Sequence, residues 1–213
     1  MPRNAKNNNA TFDFEIEYWK QNLFVAGVDE AGRGPLAGPV IAAAVVFPIN
    51  YDSFIGINDS KLLTKKKREE LFLNIKENAV SIGIGIVDNI TIDEINILNA
   101  TYKAMNLAIS NLEIKQNFAL IDGNSFKGDG INYKTIVKGD KLSVSIAAAS
   151  IIAKVTRDRI MAEEIHLEFP DYFFNENKGY GTKKHYQAIE KYGICKYHRK
   201  SFLKRFLEEE KLF

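Results

Sequence analysis

Residues 25–40 read VAGVDEAGRGPLAGPV, and this stretch decides the fold. Its lead-in, residues 23–28, is apolar and β-prone, which predicts a buried strand. Two adjacent carboxylates, Asp29 and Glu30, follow at the end of that strand. A turn then presents Arg33 between two glycines, and glycine lets a backbone approach a ligand closely. Acids beside a base on such a turn suit a negatively charged substrate that is held by metal ions.

The rest of the chain alternates short apolar runs with helical patterns, which is typical of an α/β layered domain. Two Gly-Pro steps within residues 34–39 predict that the first two strands form a hairpin. Thr64 is a predicted helix N-cap, and Thr91 or Asp93 is predicted to start a long helix. A helix over about 143–167 begins apolar nearly all round and should be deeply buried. The remaining predicted elements are a short helix at 13–22 and strands at 40–47, 80–87, 118–121 and 133–137.

The composition is that of an ordinary globular protein. The 213 residues are 46% hydrophobic and 26% charged, and the formal net charge of +2 excludes a basic footprint over the whole chain. Nucleic-acid binding must therefore depend on local patches. The single cysteine, Cys195, excludes an internal disulfide and a CxxC metal knuckle, and it is expected to be inert. No apolar run approaches the ~20 residues that span a bilayer, so a cytoplasmic protein without membrane contact is expected.

The composition also divides the chain into three parts. Residues 1–12 are polar and rich in asparagine, which predicts a disordered tail without the apolar core of a secretory signal. Residues 13–169 hold the alternating elements and form the predicted main domain. From residue 170 onward, aromatic, basic and glycine residues mix, and residues 170–213 are predicted to form a small helical lobe that binds substrate.

Four acids lie where predicted strands end: Asp29, Glu30, Asp122 and Asp140. Binding sites in open α/β sheets collect at strand ends. Carboxylates without histidine or cysteine partners suit Mg²⁺ or Mn²⁺, and two such ions roughly 3.5–4 Å apart activate a water and stabilise a leaving oxygen. Each acid by itself is also compatible with a cap or a turn. Adjacent Asp29 and Glu30 fit that alternative less well, because their charges repel unless a cation or Arg33 neutralises them.

The glycine-rich turn has a competing explanation as a dinucleotide-binding fingerprint. Gly32, Gly34 and Ala37 match the relaxed pattern, and Asp52 follows at about the required distance. That fingerprint must open a helix, whereas a Gly-Pro step and a β-branched run follow here. A helix directly after Gly34 would support the fingerprint. A P-loop is excluded, because no Gly-Lys-Ser/Thr sequence stands at the required place.

Further motifs follow the opening stretch. They are DSK at 59–61, IDGN at 121–124, GD at 139–140, IAAASIIAKVTRD at 146–158, GYGT at 179–182 and HRKSF at 198–202. In this order, over roughly residues 23–205, the set resembles the ribonuclease HII family, a type 2 ribonuclease H. A set of this size is far more specific than a single glycine-rich loop. The chain departs from the family pattern at Leu62, where a second lysine is frequent, and at Gly181, where proline is common.

The resemblance implies a fold and an activity. The fold would be a ribonuclease H-like mixed β-sheet flanked by helices, with a small C-terminal helical lobe. The activity would be hydrolysis of the RNA strand of RNA–DNA hybrids, with nicking on the 5′ side of single ribonucleotides embedded in duplex DNA. A two-metal-ion mechanism with water as nucleophile would leave 3′-hydroxyl and 5′-phosphate ends. The implied catalytic ligands of Mg²⁺ or Mn²⁺ are Asp29, Glu30, Asp122 and Asp140.

The resemblance also implies substrate contacts. Ser60 and Lys61 would contact backbone phosphates, and Tyr180 would pack against the sugar on the DNA side of the RNA–DNA junction. The 2′-hydroxyl and the phosphate at that junction would be read by Gly32, Arg33 and Gly34. These roles agree with the chemistry, because a 2′-hydroxyl distinguishes a ribonucleotide and an arginine can grip a phosphate with two hydrogen bonds.

Two alternative functions stay open at this point. Ribonuclease HIII is a sister enzyme that favours longer hybrids, and it normally carries an extra N-terminal domain that a dozen polar residues cannot form. A catalytically silent RNA–DNA binding module is the other. A monomer is expected, and residues 203–213 carry no clear motif for docking to a sliding clamp.

Several polar residues have competing explanations. Asp158 and Lys154 are equally compatible with supporting the acidic site and with a surface ion pair. Residues 65–68 are interpreted as a solvated helix start, with contact to a DNA backbone as the alternative. His166 and His185 are expected at the surface. The residues expected to pack the C-terminal lobe are His198 and Arg199.

Overall fold

The computed structural model describes residues 10–52, 63–204 and 206. Its strands are β1 Val25–Ala31, β2 Val40–Val46, β3 Ser81–Val87, β4 Phe118–Asp122 and β5 Tyr133–Ile136. Within the described ranges these strands form one sheet in the order β3-β2-β1-β4-β5. β2 pairs antiparallel with β1 and β3, whereas β4 pairs parallel with β1 and β5. The predicted hairpin and the mixed α/β sheet are therefore confirmed.

Helices cover both faces of the sheet. They are α1 Asp13–Trp19, α2 Lys65–Asn78, α3 Asn89–Ser110, α4 Val144–Arg159, α5 His166–Glu168, α6 Phe174–Asn177 and α7 Lys183–Tyr192. A π-helical turn, Ile160–Ile165, joins α4 to α5. One apolar core holds α1, α2 and α4 against the sheet, and a second core holds α3 against the opposite face. No helix in the described ranges is both long and apolar enough to cross a membrane.

The N-terminal end of α4 lies directly on β1. A Cβ atom added to Gly27 would lie 2.1 Å from the backbone carbonyl carbon of Ser145 and 2.3 Å from the backbone nitrogen of Ile146. Any larger residue at Gly27 would push the helix away from the strand. The small residues of α4 are buried against this surface, as the sequence predicts. This close packing fixes the helix beside the strand that carries Asp29.

The end of the predicted tail is packed on the core. Ala10 is buried, Phe12 makes an edge contact with Phe47, and the backbone N–H of Thr11 donates to the Leu142 carbonyl at 3.0 Å. The prediction of a disordered tail over residues 1–12 is therefore wrong for residues 10–12. The apolar side chains of Ala10 and Phe12 pack in the same core as the buried Trp19. Residues 1–9 lie outside the described ranges.

The start of α3 differs from its prediction. Asp88 is the N-cap, and its Oδ1 accepts the backbone N–H of Thr91 at 2.8 Å. Asp93 lies one turn inside the helix, and its carboxylate accepts the backbone N–H groups of Lys200 and Ser201 at 2.8 Å and 2.9 Å. Asp88, Thr91 and Asp93 are all residue types that can cap a helix. Asp88 caps this one, whereas the carboxylate of Asp93 binds the distant segment at residues 200 and 201. The predicted N-cap at Thr64 is confirmed, because its hydroxyl accepts the N–H of Lys67.

The C-terminal lobe shares its apolar cluster with the rest of the molecule. Tyr172, Phe174 and Ile189 pack together with Met161 of the π-helical turn and with Leu36 of the β1–β2 loop. The lobe is thus built directly against the glycine-rich turn. A domain boundary at residue 170 and a substrate-binding role for the lobe stay predictions. Residues 207–213 lie outside the described ranges.

Candidate active site

Parallel pairing brings the first two acids together. Val28 of β1 is the partner of Ile121 of β4, so the residues that follow them, Asp29 and Asp122, lie side by side at one end of the sheet. β1 does not end at residue 28 as predicted, because its ladder with β2 continues to Ala31. The two adjacent acids therefore lie on a strand that is paired with β2, which restricts their positions more than a turn would.

Asp122 links the sheet to the fourth acid. Its Oδ1 accepts the backbone N–H of Gly139 at 2.6 Å and that of Asp140 at 3.4 Å. Gly139 and Asp140 begin a short 3₁₀ turn between β5 and α4, and Asp140 is buried there. The Ser143 hydroxyl then caps α4 by accepting the N–H of Ile146. The carboxylate of Asp122 thus orients the turn that carries Asp140.

Negative charge accumulates at this end of the sheet. Burial and the nearby carboxylates of Glu30 and Asp122 raise the pKa of Asp29 well above its ordinary value, although it accepts hydrogen bonds from the Ser150 hydroxyl and the Glu30 N–H. Burial also raises the pKa of Glu30, against the opposing effect of Arg33 at 3.3 Å. Carboxylates that are buried next to one another repel, and binding of an additional cation would relieve this repulsion.

A hard divalent cation fits the chemistry of this site. The ligands offered by Asp29, Glu30, Asp122 and Asp140 are all carboxylate oxygens, which Mg²⁺ and Mn²⁺ prefer. Among the described residues, no three acidic, histidine or cysteine side chains already stand in a coordination geometry. Asp29 and Asp122 instead accept backbone N–H groups. These hydrogen bonds use one oxygen of each carboxylate, so each keeps an oxygen to offer to a cation.

Buried arginines hold the Gly-Arg-Gly turn from below. Arg199 donates to the carbonyl oxygens of Gly32 at 2.7 Å, Arg33 at 3.1 Å and Gly38 at 2.8 Å. Arg157 in α4 donates to three more carbonyls nearby, two of which lie at the end of the same loop. The loop is rigid for this reason, even though it is rich in glycine.

The same contacts aim backbone donors outward. In a planar trans peptide the C=O and N–H groups point in opposite directions. Because the carbonyls of Gly32 and Arg33 point towards Arg199, the N–H groups of Arg33 and Gly34 point away from it. Consecutive N–H groups that face one side form a binding site for an anionic or hydroxyl oxygen.

The two glycines of the turn have different structural constraints. Gly32 has φ of +98°, and an added Cβ would lie 2.1 Å from Nε of Arg157. An added Cβ at Gly34 would meet only the Tyr180 ring, at an ordinary 3.8 Å. The fold therefore requires glycine at position 32 and tolerates a side chain at position 34. The absence of a side chain at Gly34 is consistent with close approach of a ligand.

A cleft of about 230 Å³ joins the turn to Glu30, one of the four acids. Its wall includes Tyr180, whose side chain is partly exposed. A larger groove of about 630 Å³ lies beside the C-terminal end of α3 and includes none of the predicted site residues. The residues that line the smaller cleft are Glu30, Ala31, Gly32, Arg33, Gly34, Arg68, Ser150, Lys154 and Tyr180.

The dinucleotide alternative is wrong. No helix follows Gly34, because the chain runs through an irregular loop to β2 at Val40. The pairing of β2 with β1 uses the segment in which such a helix would have to lie. The turn therefore lacks the helix N-terminus that would bind a pyrophosphate.

The other residues that the sequence singles out lie in different parts of the chain. Ser60, Lys61 and Leu62 lie outside the described ranges. Lys154 lines the cleft, and its Nζ lies 2.7 Å from Oδ1 of Asp158, so both explanations of this pair hold in part. Cys195 is half-buried, and burial raises its thiol pKa, in keeping with an inert residue.

The prediction for His185 is wrong. Its side chain points from α7 into the lobe, where it is fully buried against Tyr172 and Phe174 and hydrogen-bonds His198. His198 packs the lobe as predicted, whereas Arg199 is buried with its guanidinium on the carbonyls of the glycine-rich turn.

Sequence reasoning missed three contributors to the site. Ser150 is the one hydroxyl within an apolar run of α4, and it bonds Asp29. Arg157 follows the same run and is buried among loop carbonyls. Arg68 was interpreted as part of a solvated helix start, yet it lines the cleft. A lone hydroxyl in an otherwise apolar run is the available signal for Ser150, whereas Arg157 stands beside Thr156 and Asp158 and has no such signal.

Comparisons with known proteins agree with this architecture. The family model described as ribonuclease HII matches residues 26–206. The ribonuclease HII of Clostridioides difficile is 57% identical over 196 residues, which cover 91% of this chain and 76% of that relative.

Solved structures agree as well. The ribonuclease H2 of Pyrococcus horikoshii is 27% identical with a TM-score of 0.73, covering 89% of this chain and 99% of its own. The Archaeoglobus fulgidus ribonuclease HII, solved in complex with PCNA, is 26% identical with a TM-score of 0.69, covering 83% and 94%. The chain therefore belongs to the ribonuclease HII family and is a ribonuclease H, a divalent-metal-dependent endonuclease of RNA–DNA hybrids.

Proposed function

We propose that this chain nicks duplex DNA on the 5′ side of a single embedded ribonucleotide and also cleaves the RNA strand of longer hybrids. Asp29, Glu30, Asp122 and Asp140 would hold two divalent cations, Mg²⁺ or Mn²⁺. Bound there, such ions activate a water and stabilise the charge that develops on the leaving oxygen. The products would carry 3′-hydroxyl and 5′-phosphate ends, whereas attack by the 2′-hydroxyl of the substrate would leave a cyclic phosphate.

This proposal rests on the composition of one cleft. An acid, the outward N–H groups of a turn and an aromatic ring lie together there. Glu30, Arg33, Gly34 and Tyr180 line the same cleft. A 2′-hydroxyl both donates and accepts hydrogen bonds, and it is the group that distinguishes RNA from DNA at one nucleotide. The N–H groups of Arg33 and Gly34 would bind oxygens of the ribonucleotide and its phosphate beside the acids.

Tyr180 would select the sugar of the next nucleotide. Tyr180 is 43% exposed, and its ring borders the open side of Gly34. A deoxyribose packs against such a ring without a polar group in the contact. A 2′-hydroxyl in that place would lose hydrogen bonds to water and crowd the ring. The preferred substrate would therefore have a ribonucleotide that is followed by a deoxyribonucleotide, with the cut on the 5′ side of the ribonucleotide.

Arg33 would bind the phosphate at the junction. Its guanidinium lies 3.3 Å from Oε1 of Glu30, and its side chain is 53% exposed. The Glu30 side chain is only 13% exposed, so a metal ion bound to Glu30 would take over the neutralising charge of Arg33 and leave the exposed guanidinium for a substrate phosphate. Two parallel hydrogen bonds to phosphate oxygens would then orient the scissile bond.

A panel of labelled duplexes tests this substrate preference. The panel contains duplex DNA with one ribonucleotide, the same duplex with none, and a long RNA–DNA hybrid. We expect cleavage of the first and third duplexes and none of the second. Cleavage of the long hybrid alone would indicate a ribonuclease HIII-like enzyme. Tight binding without any cleavage would indicate a silent binding module.

A further inference from the structure

The C-terminal lobe contains a buried pair of histidines behind Tyr180. Nε2 of His185 lies 3.0 Å from Nε2 of His198, and both side chains are almost fully buried. Nδ1 of His185 lies 2.9 Å from the carbonyl oxygen of Tyr180. The pair therefore ends on the backbone of the residue proposed to contact the DNA sugar.

The contacts define which nitrogen carries each proton. Nδ1 of His198 lies 2.9 Å from the backbone nitrogen of Cys195 and 3.3 Å from its carbonyl oxygen; the N–H contact is the shorter one, so we assign Nδ1 as an acceptor and the proton of His198 to Nε2. The Nε2–H of His198 then donates to Nε2 of His185. The proton of His185 is consequently on Nδ1, from which it donates to the Tyr180 carbonyl. The hydrogen bonds run in one direction, from the backbone at 195 to the backbone at 180.

Aromatic side chains keep this pair away from water. The Tyr172 ring makes an edge contact with His198 at a centroid distance of 5.0 Å, and Phe174 makes one with His185 at 5.3 Å. Burial lowers the pKa of both histidines, to about 4 for His198. Both rings are therefore neutral near pH 7, which the one-directional chain of hydrogen bonds requires.

The turn of Tyr180 has local support as well. The Tyr180 N–H donates to the Asn177 carbonyl at 2.9 Å, and the Thr182 N–H donates to the Tyr180 carbonyl at 2.8 Å. Both of these bonds lie within the turn itself. The bond from His185 is the one that connects this carbonyl to the interior of the lobe.

We propose that His185, oriented by His198, is a positioning residue that sets the Tyr180 ring against the cleft and thereby sets the preference for the RNA–DNA junction. This inference rests on the proposed role of Tyr180. Neither histidine touches the substrate. Their effect is to hold the peptide of Tyr180 so that its ring borders Gly34, where the sugar would lie.

A matched pair of substitutions separates positioning from stability. In His185→Asn the side-chain amide takes the place of Nδ1 and keeps the bond to Tyr180, but it loses the bond to His198. In His185→Gln the amide takes the place of Nε2 and keeps the bond to His198, but it loses the bond to Tyr180. Each variant loses one buried hydrogen bond, so their melting temperatures should fall similarly.

The readout is kcat/KM on the single-ribonucleotide duplex divided by kcat/KM on a long hybrid, with Tyr180→Ala as the reference. We expect His185→Gln to lower this ratio by about three- to tenfold, the equivalent of one hydrogen bond, and His185→Asn to keep it. Equal ratios in the two histidine variants, with a lowered ratio in Tyr180→Ala, would overturn the inference alone. An unchanged ratio in Tyr180→Ala would overturn both the inference and the proposed role of Tyr180.

A second measurement needs no variant. The chain has three histidines, so the ring nitrogens of ¹⁵N-histidine-labelled protein can be resolved by NMR. We expect the Nδ1–H tautomer for His185 and the Nε2–H tautomer for His198. The Nε2–H tautomer at His185 would contradict the proposed chain of hydrogen bonds, even if both substitutions prevented folding.

Discussion

At the scale of single residues, two glycines of one motif are glycine for different reasons. Gly32 has a positive φ and touches Arg157, so the fold explains it. Gly34 has room for a side chain, so its explanation lies in the ligand. The sequence presents both as members of one motif. Their difference depends on an arginine more than a hundred residues away, which local pattern does not reveal.

Gly34→Ala should therefore separate function from stability. We expect thermal stability to stay the same or to rise by up to about 1 kcal/mol, because alanine restricts the unfolded chain. Cleavage of the single-ribonucleotide duplex should fall roughly a hundredfold, because a small misplacement of the reacting groups is costly. Gly32→Ala is the control and should lose roughly 1–3 kcal/mol of stability. Full activity of Gly34→Ala would show that no ligand approaches that position.

Asp122→Asn should abolish cleavage without unfolding the protein. The amide oxygen still accepts the Gly139 N–H, so the local structure is kept. Loss of the charge removes a metal ligand, and we expect cleavage to fall by at least about a hundredfold. Because Asp122 raises the pKa of Asp29, its neutralisation should also relieve repulsion. Melting in the presence of a chelator should therefore occur at the same or a higher temperature, and a well-folded, active variant would remove Asp122 from the site.

At the scale of elements, the N-terminal helix clamps the loop that carries Asp140. Oε1 of Glu15 in α1 accepts the Ser143 hydroxyl at 2.6 Å and the Ser145 N–H at 3.0 Å. Thr11 bonds the backbone on either side of Ser143. The sequence predicted α1 as a short lead-in, because its pattern of apolar residues is weak. Its packing on α4 is a long-range contact that periodicity does not reveal.

Glu15→Ala should be strongly destabilising. It leaves the Ser145 N–H and the Ser143 hydroxyl without their buried acceptor, which costs about 1–3 kcal/mol for an unpaired group. Glu15→Gln keeps an acceptor in the same place and should stay near wild-type stability, because burial already raises the pKa of Glu15 and disfavours its charge. Thermal unfolding of both variants measures the difference. An alanine variant as stable as the glutamine variant would exclude the clamp.

The histidine pair should make the lobe sensitive to acid. His185 and His198 have folded-state pKa values below the unfolded value of 6.5, at about 4 for His198. The unfolded chain binds these protons first, so their contribution is complete above pH 6.5 and is lost as the pH falls towards 4. Asp29 and Glu30 act with the opposite sign, because their pKa values are raised.

The comparison with His198→Gln isolates this contribution. Unfolding free energies at pH 7 and pH 5 should differ more in the wild-type protein than in the variant, because the variant has one buried histidine fewer to protonate. Equal pH dependence of the two proteins would show that the pair is not held neutral.

At the scale of the whole molecule, the sequence predicted what depends on local pattern and motif. The strands, the hairpin and the four acids follow from periodicity and from the order of motifs. The extension of β1 through Asp29 and Glu30 depends on pairing with β2, and the burial of His185 depends on packing across the lobe. Both are tertiary effects, so a local pattern does not contain them.

The overall charge balance also has a consequence for function. With a net charge of +2, the molecule does not attract nucleic acid over its whole surface. Cations that include Arg33, Arg68 and Lys154 are instead placed around the cleft beside the acids. Both substrate binding and hydrolysis are therefore expected at this end of the sheet.

The central claim is metal-dependent hydrolysis at this cleft, and one measurement tests it most directly. The purified protein is incubated with a DNA duplex that contains one ribonucleotide, in Mg²⁺, in Mn²⁺ and in chelator, and the ends of the products are mapped. The account predicts a nick on the 5′ side of the ribonucleotide with 3′-hydroxyl and 5′-phosphate ends, and no nick in chelator. A 2′,3′-cyclic phosphate end, or undiminished cleavage in chelator, would contradict it.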